Sequence, residues 1–288
     1  MKKASAKVLR ATELWLVGGL FALLVVCAIF PIVFTFGVSF MSAGEVARNY
    51  GGITLSDGYA PLHLIPERFS LSGYGKLLIE TPKYLIRFWI SLGVCAAISA
   101  GQVFISVLGG YAFSRFRFRF RDGIFFCLIV LMMLPYQVTL VPGYMVIKAF
   151  GLLNTNAALI LPGIFSAFGT FLMRQVMATI PDSITESANL DGANYFVALW
   201  RVMVPCCLSG VAALLVLSFV DAWSMVEQPI AYIQDTYRHP LSVFLLTVNS
   251  QDMSLGFACG VLSIFLVLLL LLLFEKQLVE GISYSVLK

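Results

Sequence analysis

Charged residues are scarce in this chain of 288 residues: 12% are Asp, Glu, Lys or Arg, whereas 60% are hydrophobic. A soluble domain carries about 25% charged and roughly 45–50% apolar residues. The composition therefore excludes an ordinary soluble globule, and it also excludes a disordered or nucleic-acid-coating chain. A chain of this length is expected to form one membrane domain.

Side chains that could perform catalysis or bind metal are also few. The two histidines, His63 and His239, lie far apart, and none of the six cysteines stands at metal-ligand spacing from a histidine. The cysteines all lie in apolar stretches, so we expect small apolar side chains rather than a disulfide framework. No Ser-His-Asp order or HExxH motif occurs, and the nearest P-loop candidate, at residues 73–77, has the wrong spacing. The sequence therefore predicts no catalytic residue, no metal site and no cofactor bound by this chain.

Long runs without a charged residue are the dominant feature. A helix that rises about 1.5 Å per residue needs about 20 apolar residues to cross hydrocarbon roughly 30 Å thick. Six such runs predict an all-α polytopic membrane protein with six transmembrane helices, at residues 14–44, 88–114, 124–147, 149–173, 202–220 and 253–274. Pro162 interrupts the fourth run. The exact boundaries of the fourth and fifth runs are the hardest to place.

The distribution of Lys and Arg orients these spans. With an even number of spans, both termini lie on one side, and most of the 19 Lys and Arg residues lie on that side, which predicts that it is the cytoplasm. Four of them, Arg115, Arg117, Arg119 and Arg121, alternate with phenylalanines. We interpret this run as an anchor at the lipid headgroups rather than a surface that stacks nucleobases.

The boundaries of the runs also define the expected organisation of the chain. A cytoplasmic tail (1–13) precedes a first transmembrane helix (14–44), which is too long for a cleavable signal sequence and is read as an uncleaved anchor. An extracytoplasmic segment (45–87) follows. The transmembrane core (88–275) is interrupted by a cytoplasmic loop (174–205), and a cytoplasmic tail (276–288) ends the chain.

The cytoplasmic loop has a pattern of its own. Ser183 followed by Glu186 predicts a capping box and a helix that begins near Ile184. Gly192 can adopt a left-handed conformation and end that helix in a turn, after which a second helix should run from residue 193 to about 203. Small side chains would let another surface approach the first helix closely: Ser187, Ala188 and Ala193. By itself this pattern fits a structured linker as well as a docking element.

The same loop resembles the EAA motif of permeases from binding-protein-dependent ABC importers. The matching residues are Glu186, Ser187, Ala188, Asp191, Gly192, Ala193 and Pro205. Ser187 replaces the usual Ala, and Val204 replaces the usual Leu. Residues 111–118, 151–155, 171–175 and the end of the chain are similar to the carbohydrate-uptake, maltose-transporter type of this family. The sequence departs from the family pattern at Ile90, Ser224 and residues 119–120.

The resemblance implies a type I importer fold in which two permease chains, expected to differ, surround a path for a sugar or oligosaccharide. The EAA helix would dock on a separate cytoplasmic ATPase dimer that binds ATP and Mg, with Glu186 as its ionic contact and Gly192 as its turn. An extracellular or periplasmic binding protein would deliver the cargo. These expectations place the chain in the bacterial inner membrane among lipids, with no nucleic-acid partner.

Polar residues at the outer end of the fifth run are candidates for the substrate path: Asp221, Trp223, Ser224, Glu227 and Gln228. Ionisable groups in spans usually face a bundle interior or a water-filled path, although a contact at the headgroups is the alternative. On one continuous helix, Asp221 and Glu227 would lie about 240° apart and would not share a face. With few Lys or Arg nearby, a neutral polar cargo is favoured. A non-sugar solute such as a glycerol phosphodiester, or a membrane scaffold or sensor, remains as an alternative function.

Overall fold

The computed structural model describes residues 2–51 and 63–279, and every regular element within these ranges is helical. This confirms the predicted all-α class. The α-helices, in chain order, are α1 (Lys2–Ser39), α2 (Ala43–Tyr50), α3 (Ser72–Gly75), α4 (Pro82–Arg115), α5 (Arg121–Met132), α6 (Tyr136–Ala149), α7 (Ala157–Gly163), α8 (Ala167–Ala178), α9 (Asp182–Leu190), α10 (Tyr195–Ala198), α11 (Val204–Cys206), α12 (Leu208–Ser224), α13 (Glu227–Tyr232), α14 (Leu241–Gln251) and α15 (Met253–Leu273). Short π-helical segments lie at Lys76–Glu80 and Leu199–Met203, and a 3₁₀ turn lies at Thr236–Arg238.

Helix α1 carries apolar side chains on all sides from Val17 onward, and its hydrophobic stretch Val17–Ser39 is long enough to cross a membrane. A helix that is apolar all round is suited to lipid rather than to water. The helix ends at Ser39, before the expected end at Gly44, because α2 already begins at Ala43. There Ser42 is the N-cap, and its side chain accepts a hydrogen bond from the backbone N–H of Glu45.

Of the described residues, 2–51, 63–82 and 247–264 form one of two compact units. Its apolar core comprises Val38, Met41, Val46 and Tyr50, against which Phe34 and Phe257 pack. Lys76 donates a 2.5 Å hydrogen bond to Asp252. Burial would raise the pKa of Asp252, but the hydrogen bonds from Lys76 and from the backbone N–H of Leu255 outweigh it and hold this pKa below its ordinary value. The same contact raises the pKa of Lys76.

Of the described residues, 83–246 and 265–279 form the second unit. One of its apolar clusters is built on α4, α8, α12 and the π-helical segment Leu199–Met203. Its buried residues include Tyr111, Met173, Leu199 and Leu214. A second cluster includes Val94, Ile147, Leu159 and Phe219.

Two of the predicted spans are strongly bent. Four helical stretches can cross a membrane alone, and two bent helix pairs bring the number to the six predicted from the sequence if each pair is one span. The third run is divided into α5 and α6, which meet at 103°, and the fifth is divided at Cys207, with an 82° bend. Pro135 explains the first bend, because proline disfavours helical backbone at the preceding residue and Pro135 itself is extended, with ψ 136°.

The fourth span is interrupted in the region where Pro162 predicted a break. Helix α7 ends at Gly163 and α8 begins at Ala167, and together they cover Ala157–Ala178. The side chain of Ser166 caps α8 by accepting a hydrogen bond from the backbone N–H of Gly169 at 3.0 Å. The interrupted backbone thus gains a partner inside the protein, which a membrane segment requires.

Helices α4 and α8 approach each other closely at Gly110. A Cβ atom at Gly110 would lie 2.6 Å from the Cβ of Met173 and 2.8 Å from the backbone nitrogen of Arg174. Small residues at helix contacts let backbones approach each other in this way in membrane proteins. By contrast, a Cβ atom at Gly93, on the same helix α4, would have no neighbour within 4 Å.

Replacing Gly110 with Ala should therefore destabilise the protein by about 1–3 kcal/mol, because the two helices must separate to admit the methyl group. The matched variant Gly93→Ala should be neutral or stabilising by up to about 1 kcal/mol, because Ala is the better helix former. Thermal unfolding of the purified protein in detergent measures both effects. Equal midpoints for the two variants would contradict close packing at Gly110.

Candidate functional site

The loop that the sequence analysis assigned to the cytoplasm (174–205) forms a helix–turn–helix. Helix α9 is followed by Gly192 in the left-handed conformation, with φ +84°, as predicted. The turn is closed by hydrogen bonds from the backbone N–H of Gly192 to Asn189 and of Ala193 to Ala188, at 3.1 and 3.0 Å. The second helical stretch starts at Tyr195, where the side chain of Asn194 accepts a hydrogen bond from the backbone N–H of Val197.

The predicted capping box is wrong. Helix α9 begins at Asp182 with Pro181 as its N-cap, so Ser183 and Glu186 both lie inside the helix and the side chain of Ser183 cannot cap it. Instead, the backbone carbonyl of Ser183 accepts a hydrogen bond from the hydroxyl of Ser187 at 2.8 Å. Proline starts the helix two residues earlier than predicted because its φ of −59° suits a helix start and the missing N–H costs nothing there.

The exposed surface of this loop carries both acidic and apolar side chains. Of the residues that match the EAA motif, Glu186, Ser187, Asp191 and Gly192 are exposed, whereas Ala188 and Ala193 are partly buried. Leu190 is 89% exposed, and Tyr195 and Phe196 are also exposed. Large apolar side chains grouped beside carboxylates on a short projecting loop are typical of a surface that binds another protein.

Arg115, at the end of α4, ties this loop to the membrane helices. Its guanidinium donates hydrogen bonds to the backbone carbonyls of Met177 and Ile180, at 3.1 and 2.7 Å, and forms an ion pair with Asp182. The side chain of Arg115 is only 9% exposed. Carbonyls at the end of α8 are natural partners for a cation, because that helix end carries partial negative charge. We call Arg115 and these three partners the arginine clamp.

The clamp changes the interpretation of the arginine run. Arg115 is not a headgroup anchor, because its guanidinium lies inside the protein, whereas Arg117 and Arg119 are exposed. The sequence alone could not single out Arg115, since its partners are backbone carbonyls more than 60 residues away.

A cavity of about 640 Å³ lies in the same unit, among α4, α6, α7, α8, α12 and α13. Its polar lining includes residues predicted for the substrate path, namely Asp221, Ser224, Glu227 and Gln228, and others that the sequence analysis did not select, namely Gln102, Tyr136, Ser166 and Ser218. Each of the latter interrupts an apolar run, which is the signal that could have identified it. Ile98, Phe165 and Phe168 add apolar surface.

Trp223 does not line this cavity. Its ring stacks on Phe219, with centroids 5.7 Å apart, and meets the edge of Phe88 at 5.9 Å. The side chain packs against the apolar cluster of α4 and α12. The structure therefore places Trp223 in the wall behind the cavity, away from the position where its ring could stack on a sugar within it.

The expected angular separation of Asp221 and Glu227 around one helix is also wrong, since both residues line the same cavity. Helix α12 ends at Ser224, Met225 is extended with ψ 133°, and α13 begins at Glu227. The angle of 100° per residue does not apply across this break. Gln137 donates a hydrogen bond of 3.0 Å to the Glu227 carboxylate, which sets its position.

Bent spans around a polar cavity, together with a projecting loop clamped to the same helices, define a polytopic transport permease. The chain belongs to the family of binding-protein-dependent transport system inner membrane components, whose family model matches residues 102–283. It is accordingly a transport permease of an ABC importer rather than an enzyme, as the EAA motif predicted.

Two relatives resemble the chain over nearly its whole length. The sn-glycerol-3-phosphate transport system permease protein UgpE of Agrobacterium fabrum is 28% identical over 269 residues, which cover 90% of this chain and 92% of the relative. The arabinooligosaccharides transport system permease protein AraQ of Halalkalibacterium halodurans is 24% identical over 286 residues, which cover 98% of each chain.

Solved structures share the fold. A chain from a bacterial ABC transporter involved in the import of the acidic polysaccharide alginate matches with a TM-score of 0.74, at 21% identity, over 91% of this chain and 94% of that one. A chain from the alginate transporter in complex with its pentasaccharide-bound periplasmic protein matches with a TM-score of 0.61, at 14% identity, over 91% and 93%. The six-span importer permease fold predicted from the sequence is thereby confirmed.

The arginine clamp predicts unequal effects for its two ends. Arg115→Gln should cost about 2–3 kcal/mol locally, because buried carbonyls lose a charged donor, and it should speed amide hydrogen exchange throughout α9. Asp182→Asn should cost less than about 1 kcal/mol, because that side chain is 76% exposed.

Hydrogen exchange followed by mass spectrometry measures both effects, with Arg117→Gln as the matched control at an exposed arginine of the same run. Faster exchange of α9 in the control, or an unchanged α9 in Arg115→Gln, would contradict the clamp.

Proposed function

We propose that this chain forms half of the transmembrane path of an importer and is driven by a separate ATPase that docks on the loop from Pro181 to Pro205. The observation that carries the proposal is the exposed surface of α9 and α10, held to the membrane helices by the arginine clamp. Glu186 and Asp191 would face basic groups of the ATPase, and Leu190, Tyr195 and Phe196 would fill its apolar cleft.

The clamp suggests how a movement of the loop reaches the path. Arg115 belongs to α4, Met177 to α8 and Asp182 to α9, so a displacement of α9 pulls on two transmembrane helices at once. Those helices supply Gln102 and Ser166–Phe168 to the wall of the cavity. Closure of the ATPase would in this way change the shape of the cavity, because no flexible linker separates the docked helix α9 from the helices that line the cavity.

The assembly that follows has several other members. The ATPase dimer binds ATP and Mg, because this chain has no P-loop and hydrolysis must occur on another polypeptide. A second, different permease completes the path, and an extracellular or periplasmic binding protein delivers the cargo. The chain lies in a bacterial inner membrane with both termini in the cytoplasm, an orientation that the arginine run and the loop of α9 and α10 support.

The proposed cargo is a sugar or oligosaccharide. Amide, hydroxyl and carboxylate groups on an otherwise apolar wall, as in this cavity, are the groups that bind polyols and sugars in orientation-specific ways. A relative named for arabinooligosaccharides supports this choice. A second candidate, a glycerol phosphate ester, is favoured by the relatives named for sn-glycerol-3-phosphate.

Co-expression tests the proposal. The chain is produced with the permease, ATPase and binding-protein genes that neighbour its own, purified through a tag on it, and assayed for ATP hydrolysis with the binding protein and a panel of sugars. Co-purified ATPase whose activity rises with one loaded binding protein supports both the class and the cargo. If no ATPase stays bound, the loop is a scaffold.

A pair of glycines tests the role of the loop. Gly192→Val should reduce the co-purified ATPase severalfold, because a β-branched residue at φ +84° costs about 1–3 kcal/mol and distorts the turn. Gly151→Val is the matched control, since Gly151 has a φ of +66° and lies outside the loop. Equal loss of ATPase in both variants would point to misfolding rather than to the loop.

A further inference from the structure

The carboxylates of the cavity have no basic counterpart. Asp221 and Glu227 both line it, and among the described residues around it there is no Lys or Arg. Both carboxylates belong to exposed residues, so water reaches them. Glu227 is met by the neutral amide of Gln137 rather than by a cation. The charge of this part of the path is therefore negative and uncompensated within this chain.

A second feature of the same cavity points to a ligand. Ser218 is 5% exposed, its hydroxyl has no hydrogen-bond partner in the protein, and it lines the cavity. A buried hydroxyl without a partner is unfavourable unless water or a ligand satisfies it. Ser218 lies on α12 one turn before Asp221, so its hydroxyl and a carboxylate lie on one face of the helix.

From these two observations we propose that the cavity excludes anions and that its cargo is an uncharged polyhydroxylated solute. Hydroxyl groups of such a solute can donate to Asp221 and Glu227 and accept from Ser218 and Gln102. A phosphate or carboxylate would instead be repelled by two charges of its own sign in a narrow space. A charged cleft changes the local concentration of ions by about 10–10³-fold, which is enough to decide which solutes pass.

This inference rests on the proposed function, because it names the cargo class of the same path. It also separates this chain from the candidate function suggested by the relatives named for sn-glycerol-3-phosphate. A chain that carried a phosphate ester would be expected to offer basic groups here, because charge-assisted hydrogen bonds from Arg or Lys are the strong contacts to phosphate.

Thiol labelling measures the charge of the cavity directly. Ser224 lies between the two carboxylates in sequence and lines the cavity, so Ser224→Cys places a thiol there at nearly unchanged volume. The complete importer, in lipid nanodiscs, is treated with methanethiosulfonates that carry either a trimethylammonium or a sulfonate group. Mass spectrometry of the peptide that contains residue 224 gives the two rates free of the native cysteines. The thiolate fraction of the cysteine is common to both rates and cancels in their ratio. This ratio is then divided by the ratio for free 2-mercaptoethanol, which removes the difference in intrinsic reactivity between the two reagents.

We expect the cationic reagent to be favoured by about tenfold or more. Asp221→Asn combined with Glu227→Gln should bring the ratio close to that of the free thiol. The matched control is Asp122→Asn, which removes one carboxylate on α5 outside the cavity and should leave the ratio unchanged. The inference would be overturned if the ratio were close to that of the free thiol or if the sulfonate reagent reacted faster. It would also be overturned if the double variant left the ratio unchanged.

The cargo is tested with the same importer. ATP hydrolysis should rise when the binding protein is loaded with an uncharged oligosaccharide and should not rise with sn-glycerol-3-phosphate. Stimulation by sn-glycerol-3-phosphate would overturn the cargo class. Loss of the ATPase from the preparation would count against the proposed function instead, and the labelling ratio would still report the charge of the cavity.

Discussion

A single buried guanidinium joins the loop that carries α9 and α10 to the long apolar helices of this protein. Arg115 satisfies two carbonyls at the end of α8 and pairs with the first residue of α9. Backbone carbonyls at a helix end must find donors when they are removed from water, and a cation with several N–H groups supplies them from one side chain. The orientation of the projecting loop therefore depends on a contact made by a different transmembrane helix.

The cavity depends in turn on helices that are not continuous. The break between α12 and α13 turns Glu227 toward the cavity that Asp221 already lines, and the break between α7 and α8 brings Ser166 to its wall. Irregular backbone at membrane depth is tolerated where protein or a water-filled cavity surrounds it. The interruptions that weaken these spans are thus the places where polar groups enter the cavity.

Much of the architecture was predictable from composition and spacing. The six apolar runs, the interruption near Pro162, the left-handed turn at Gly192 and the EAA-like loop all follow from residues close together in the sequence. The capping box failed because Pro181 offers a competing helix start two residues earlier. Trp223 was assigned to the substrate path by its chemistry, whereas contacts with Phe88 and Phe219 decide where its ring lies.

The sequence by itself determined that the chain enters a membrane, how many times it can cross, and where the loop between α9 and α10 turns. These properties are sums over neighbouring residues: the transfer free energy of an apolar run, or the backbone freedom of one glycine. The tertiary structure alone decided which arginine is buried, how sharply the third and fifth spans bend, and which polar side chains share the cavity. Those properties depend on partners far along the chain, as when Gln137 meets Glu227, and no local pattern records such a partner.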